Sequence, residues 1–420
     1  MHSLYKLSMS INRNIKWEIT KNMLRFKQYI AENKKPRSIT SKVSNDDKGK
    51  LNELLLAYHL NGKKLPDHFR SESENTDHAG TPQDVHDRLK KKLEDAGHGA
   101  AYDEINANAA QMANHIIRRA TQHGHTISHV HWTSNPHDHE KLTGVKDKNS
   151  NADLILTLHR NGKKTYHGIS AKYGSESKTN YGTSGIDSIE RSAGLKSGAL
   201  AEHDKRHYDN MTKLGYKGTR LDQKAEHKVD GMGIEKAKAE HDKLSKLITS
   251  GKKLKPKHIL LHKHLTTYIE KHDNIATPKA RSNFLAERME RHKAANASAR
   301  IRNRAINTTF AEGLSKLNES QLRKHVADHL APETLHPHTL AKSRVDSDGS
   351  SEPIVKSFSE IRKIPEDYHS LHVTSSGVST TVWGTHKKTG KKIALLTHGI
   401  KNQSGPATTV NSTATSSIVK

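Results

Sequence analysis

Residues 151–173 read NADLILTLHRNGKKTYHGISAKY, and they spell two β-strands around a tight turn. Leu154, Ile155, Leu156 and Leu158 form an apolar run of strand length. Asn161-Gly162 is a strong hairpin signal, because both residues tolerate positive φ. The second strand runs from about Thr165 to Lys172. Asp153 opens the first strand and Lys172 closes the second. In an antiparallel pair the start of one strand lies beside the end of the next, so a carboxylate and an ammonium meet at one end of the sheet. The carboxylate can hold a hard divalent cation through oxygen. The lysine can orient a water or offset charge building on a phosphate. The same spacing also fits a plain surface hairpin whose Asp and Lys are solvated.

Upstream, residues 50–62 (KLNELLLAYHLNG) place Leu51, Leu54, Leu55, Leu56 and Ala57 on a helix. Asn61-Gly62 ends it as a C-cap. Glu53 is the acid inside this apolar stretch, on either an inward or an exposed face. Residues 82–94 read as a charged helix and 103–122 as an amphipathic one, with Ile105, Met112, Ile116 and Ile117 available for burial. Residues 126–133 (TISHVHWT) alternate and are β-rich, which predicts the first strand of the sheet.

This order (helix, helix, strand, Asp153 strand, Lys172 strand) resembles the core of the PD-(D/E)xK nuclease superfamily. The resemblance rests on Asp153 and on Ser170-x-Lys172 in the next strand. It implies a restriction-endonuclease-like α/β fold (α+β being the alternative) and a magnesium site, with manganese as a substitute. Asp153 and Glu53 would be the metal ligands, Glu53 supplying the carboxylate that family members often carry on the first core helix. Lys172 would handle the attacking water. Ser170 stands where the family usually has Glu or Asp, and a hydroxyl is a weaker metal ligand than a carboxylate.

Six histidines (His123, His125, His129, His131, His137 and His139) crowd the first strand. They fit a metal site, or a ββα-metal nuclease using His137-Asp138-His139. They equally fit compositional bias in a chain with 32 histidines. The Gly/Ser-rich stretch after Lys172 reads as a mobile loop, with Ser184 as the cap of a following helix.

The chain has 420 residues and a formal net charge of +25, from 70 Lys and Arg against 45 Asp and Glu. Hydrophobic residues are 32% and aromatics 5%, below the roughly 45–50% apolar share of ordinary domains even with Gly added. Such a basic surplus predicts a polyanionic partner of the nucleic-acid class, and DNA is the partner expected here. No apolar run approaches the ~20 residues of a spanning helix, so a membrane partner is not expected. Cysteine is absent, which excludes disulfides, zinc ribbons and thiol catalysis. Residues 200–345 read as a basic helical insertion over the core. There Arg288, Arg291, Arg300, Arg302 and Arg304 are candidate phosphate contacts, joined by Lys401 further on. Residues 346–405 read as a β-meander and 406–420 as a disordered Ser/Thr-rich tail.

The N-terminus divides into 1–22, a leader or over-called start; 23–32; and a linker over 33–45. Residues 23–38, MLRFKQYIAENKKPRS, start at a Met, combine aromatic and basic residues, and break at Pro36. They resemble the capsid-targeting peptide of internal head proteins in T-even-type tailed phages. That resemblance implies cleavage by the prohead protease after Ile30-Ala31-Glu32, with the prohead core as a partner. It also implies a place in the virion and then in the host cytoplasm. Together the two resemblances predict a nuclease-like core over 46–199 in a packaged DNA endonuclease. The alternative is a non-enzymatic internal head protein that neutralises DNA or blocks a host defence.

Overall fold

A computed structural model describes residues 43–419, apart from 67–68, 72, 74–75, 134–135, 148–149, 151, 176–178, 251–253, 346–352 and 403–409. The expected leader, the targeting peptide with Ile30 and Glu32, and most of the linker lie outside the described residues. In chain order, helices α1 (Asn45–Leu60), α2 (Pro82–Asp95) and α3 (Gly99–Gln122) precede β1 (Thr126–Trp132). Next come α4 (Pro136–Thr143), β2 (Leu154–Arg160), β3 (Lys163–Ser175), β4 (Thr179–Gly185) and α5 (Ile186–Ser192). A helical stretch follows: α6 (Ala199–Lys213), α7 (Arg220–Asp230), α8 (Ile234–Thr249), α9 (Pro256–Asp273), α10 (Pro278–Ser315) and α11 (Glu319–Leu330). The chain closes with β5 (His338–Val345), β6 (Ile354–Ser357), α12 (Phe358–Lys363), β7 (Tyr368–Ser376), β8 (Ser379–His386), β9 (Lys392–Asn402) and β10 (Val410–Ser416).

The hairpin forms as the sequence predicts. Arg160 pairs with Lys163 across a two-residue turn, and Asn161 and Gly162 take φ of 50° and 75°. Its strands lie inside a mixed sheet of order β1-β2-β3-β5-β6, in which only the β3–β5 pair is parallel. Alternation divides the faces. Leu154, Leu156, Leu158, Ile169 and Ala171 pack with α1, α2 and α3 in one apolar cluster. α1 is covered on several sides: the consecutive Leu54, Leu55 and Leu56 are all buried, as in a helix enclosed by its neighbours rather than lying on a surface. Each such leucine contributes about 1.5–3 kcal/mol. Ser44 and Asp47 close the N-terminus of α1 with a capping box, and Asp47 is further held by His78 at 2.8 Å and Lys92 at 3.1 Å.

A second sheet, of order β4-β10-β9-β8-β7, is antiparallel throughout. It packs with α5, α10, α11 and α12 in another apolar cluster, which also takes Leu340 and Ile354 from the first sheet.

Four expectations are corrected here. The expected mobile loop after Lys172 continues β3 to Ser175 and then forms β4; the following helix is capped at Gly185, not Ser184. The expected disordered tail supplies β10, which pairs with β9 and buries Val410 and Ala414 in the apolar cluster of the second sheet. Residues 200–345 are not an appendage: Ile306, Phe310, Leu314, Val326 and Leu330 are core residues, and β5 lies inside that range. α7, α8, α9 and the start of α10 keep an apolar cluster of their own, and Met211, Tyr216 and Ala295 form a smaller one. Finally, the domain expected over 46–199 does not close at residue 199, since its sheet is completed by β5 and β6. The meander of β7, β8 and β9 follows the sequence reading and joins the second sheet. Among the described residues, no helix is long and apolar enough to cross a membrane.

Candidate functional site

Asp153 sits one residue before β2 and is held on both sides. Its N–H donates to the Ile169 carbonyl at 2.8 Å, and its own carbonyl accepts from the Thr133 N–H at 2.9 Å. With its backbone fixed, its carboxylate turns to β3. Oδ2 accepts from the Ala171 N–H at 2.8 Å and from the Lys172 Nζ at 3.1 Å. The carboxylate–ammonium pair expected from the antiparallel register is therefore present. Ser170 lies two residues before Lys172, on the same face of β3 by alternation, and is buried.

Glu53 reaches this end of the sheet from α1. It is 9% exposed, so it takes the inward face of the helix. Its Oε2 accepts from Lys50 Nζ at 2.5 Å and from Trp132 Nε1 at 3.2 Å. Lys50 Nζ also stands 5.4 Å from the centre of the Trp132 ring, within cation–π range. Burial pushes the Glu53 carboxyl above the usual carboxylate range; the Lys50 ammonium opposes this shift and the Asp153 carboxylate adds to it. Burial works against the Lys50 ammonium, but Glu53 and Asp153 outweigh it and hold its pKa above the usual lysine value. Glu53, Asp153, Lys50 and Lys172 thus form one electrically coupled group.

Two carboxylates lie at this end of the hairpin, the buried one paired with Lys50 and the other with Lys172; carboxylate oxygen is the ligand type a hard cation takes. Lys50, Trp132 and Asn52 were not singled out from sequence. Lys50 lies one helical turn before Glu53, and that i, i+3 spacing was the available signal. Trp132 ends the first strand, but nothing local ties it to a residue 79 positions earlier. Asn52 joins α1 to β3 by donating to the Lys172 carbonyl at 3.4 Å. A second lysine, Lys342 of β5, pairs in register with Lys172 and is 2% exposed.

The arginine set divides. Arg302 is 3% exposed; its Nη1 donates to Asp204 at 2.8 Å and its Nη2 to Asn402 at 2.6 Å. Arg291 bonds Asp230 at 2.7 Å and Glu226 at 2.9 Å, with its guanidinium 4.4 Å from the Tyr216 ring centre. Arg288 pairs with Asp230 and stacks over Tyr268 at 4.8 Å. Arg288 and Arg291 tie α10 to α7, and Arg302 ties α10 to α6 and β9, so these three are corrected from phosphate contacts to internal ion pairs. Arg300, Arg304 and Lys401 are exposed and remain available to a polyanion.

Among the described residues, the histidine-rich segment forms no group of three ligating side chains within 4.8 Å of one another. His137 and His139 lie within helix α4, and Asp138 pairs with Lys141 at 3.6 Å. His123 and His125 instead line a cavity of about 880 Å³ together with Arg119, Lys164, His167 and His336. Burial, reinforced by His338, lowers the His167 pKa to about 4. No protein-family model, no curated protein and no solved structure matches this chain.

Proposed function

We propose that this chain is a metal-dependent DNA endonuclease-like protein of a tailed phage, with a restriction-endonuclease-like core, packaged in the head and ejected with the genome. The observation that supports the enzymatic reading is the meeting of Glu53, Asp153 and Lys172 at one end of the mixed sheet. Asp153 and Glu53 would hold magnesium or manganese. Bound there, the cation would polarise the scissile phosphate and make water a better nucleophile. Lys172, positioned by Asp153, would orient that water or offset charge on the phosphate. Lys50, 2.5 Å from Glu53, would offset the charge of that carboxylate, and Ser170 would help orient the bound water.

Duplex binding would rest on the +25 net charge and be largely independent of sequence, its affinity falling steeply with salt. Arg300→Gln combined with Arg304→Gln is expected to weaken duplex binding and to reduce the salt slope by about 2. The measurement is binding to one duplex over a series of salt concentrations. An unchanged slope would put the DNA-contacting surface elsewhere.

Packaging rests on residues 23–32. Protein recovered from virions, or co-expressed with the matching prohead protease, is expected to begin at Asn33 by mass spectrometry. A mature protein that begins at Met1 or Met23 would remove the targeting reading. The charge alone serves a non-enzymatic DNA-binding head protein equally well, and a cleavage assay with and without magnesium separates the two.

A further inference from the structure

Far along the chain from Glu53, a second group of ligating side chains meets in the other apolar cluster. Helix α11 carries His325 and His329 four residues apart, which puts both on one face. Strand β9 carries His398, between Thr380 of β8 and Ala414 of β10. His325 Nε2 and His398 Nε2 are 2.9 Å apart. One nitrogen from each of the three rings lies within 4.8 Å of the others. Among the described residues, this is the one group of three or more His, Cys, Asp or Glu with that convergence.

Two features suit a cation. The first is orientation. His329 Nδ1 is 2.9 Å from the His325 carbonyl, which can only accept, so Nδ1 carries the proton and Nε2 keeps its lone pair. His398 Nδ1 is 3.0 Å from the Ser412 hydroxyl, which can accept a proton from it. Hydrogen bonds from the far nitrogen of a ligating histidine fix ring and tautomer in metal sites. The second is enclosure. His398 is fully buried, and its ring meets Phe310 edge-on with centroids 5.0 Å apart.

We propose that His325, His329 and His398 bind one divalent transition-metal cation of the zinc class, and that this cation clamps α11 onto β9. Three imidazole nitrogens and no carboxylate favour zinc, cobalt or nickel over magnesium, which demands oxygen ligands. Tetrahedral binding at about 2.0–2.1 Å would spread the nitrogens to roughly 3.3 Å, a small opening of the His325–His398 contact. The fourth position is left for water. The site is separate from the carboxylates of Glu53 and Asp153 and does not depend on the nuclease reading.

The test uses the full chain without a histidine tag, stripped with chelator and titrated with cobalt(II) alone. The wild type should show the strong visible absorption of four-coordinate cobalt, displaced by zinc but not by magnesium, and zinc should raise its melting temperature. His329→Gln and His398→Gln should each abolish that absorption. Ser412→Ala, which removes only the outer hydrogen bond, should weaken cobalt binding about 10–100-fold. His137→Gln, at an exposed histidine, should change nothing. His398 is fully enclosed, so if its variant fails to fold, the half-buried His329 carries the test. A weak octahedral spectrum in the wild type, or an undiminished signal in His329→Gln, would place the metal on surface histidines and overturn the proposal.

Discussion

Asp153→Asn and Lys172→Ala are each expected to reduce magnesium-dependent cleavage of duplex DNA by at least about 100-fold, while salt-sensitive binding stays nearly intact. Asp153→Asn keeps the shape and an acceptor for the Ala171 N–H, but removes the charge that would hold the cation. Lys172→Ala leaves the carboxylate anchored by that same N–H and removes the ammonium at 3.1 Å. Binding survives because it is spread over many basic residues in a chain of charge +25. Nicking of supercoiled plasmid with magnesium, manganese or chelator reads the first effect, and binding across a salt series reads the second. A wild type that cuts with neither metal, or two variants that cut as well as it does, would end the nuclease reading and leave the packaged DNA-binding protein as the better account.

Arg302→Met is expected to destabilise the fold by about 3–5 kcal/mol. The arginine lies at a junction of α10, α6 and β9: it bonds Asp204 at 2.8 Å, Asn402 at 2.6 Å and its neighbour Asn303 at 3.2 Å. Removing it strands the Asp204 carboxylate in the interior. Arg220 still reaches Asp204 at 3.1 Å, which sets the expected loss toward the lower end of that range. Arg304→Gln, two residues on and exposed, should stay within about 0.5 kcal/mol of wild type. Urea unfolding of the three proteins is the measurement. If Arg302→Met unfolds like the wild type yet binds DNA more weakly, the arginine belongs with the phosphate contacts after all.

What short-range physics controls was legible along the chain. The Asn161-Gly162 turn, the alternation in β2 and β3, and the meeting of Asp153 with Lys172 all follow from backbone conformation and the period of two. Strands β7, β8 and β9 were legible for the same reason, with Gly377 and Gly390 at positive φ in the turns. The presence of α1 was legible too, from its leucines. Whether Glu53 faced inward was not, because a helix enclosed by α2, α3 and the sheet has no polar face to mark its exposed side. The tertiary structure alone decided which distant segments pair. β5 inserts beside β3 across more than 160 residues, and β4 finds β10 across more than 220. Such pairings depend on loop closure and on which apolar faces remain to be covered, and neither leaves a local mark. The same holds for charges and ligands. Arg302 reads as one more basic residue until Asp204 and Asn402 enclose it. His325 and His329 become a candidate metal site only when the second sheet brings His398 to them.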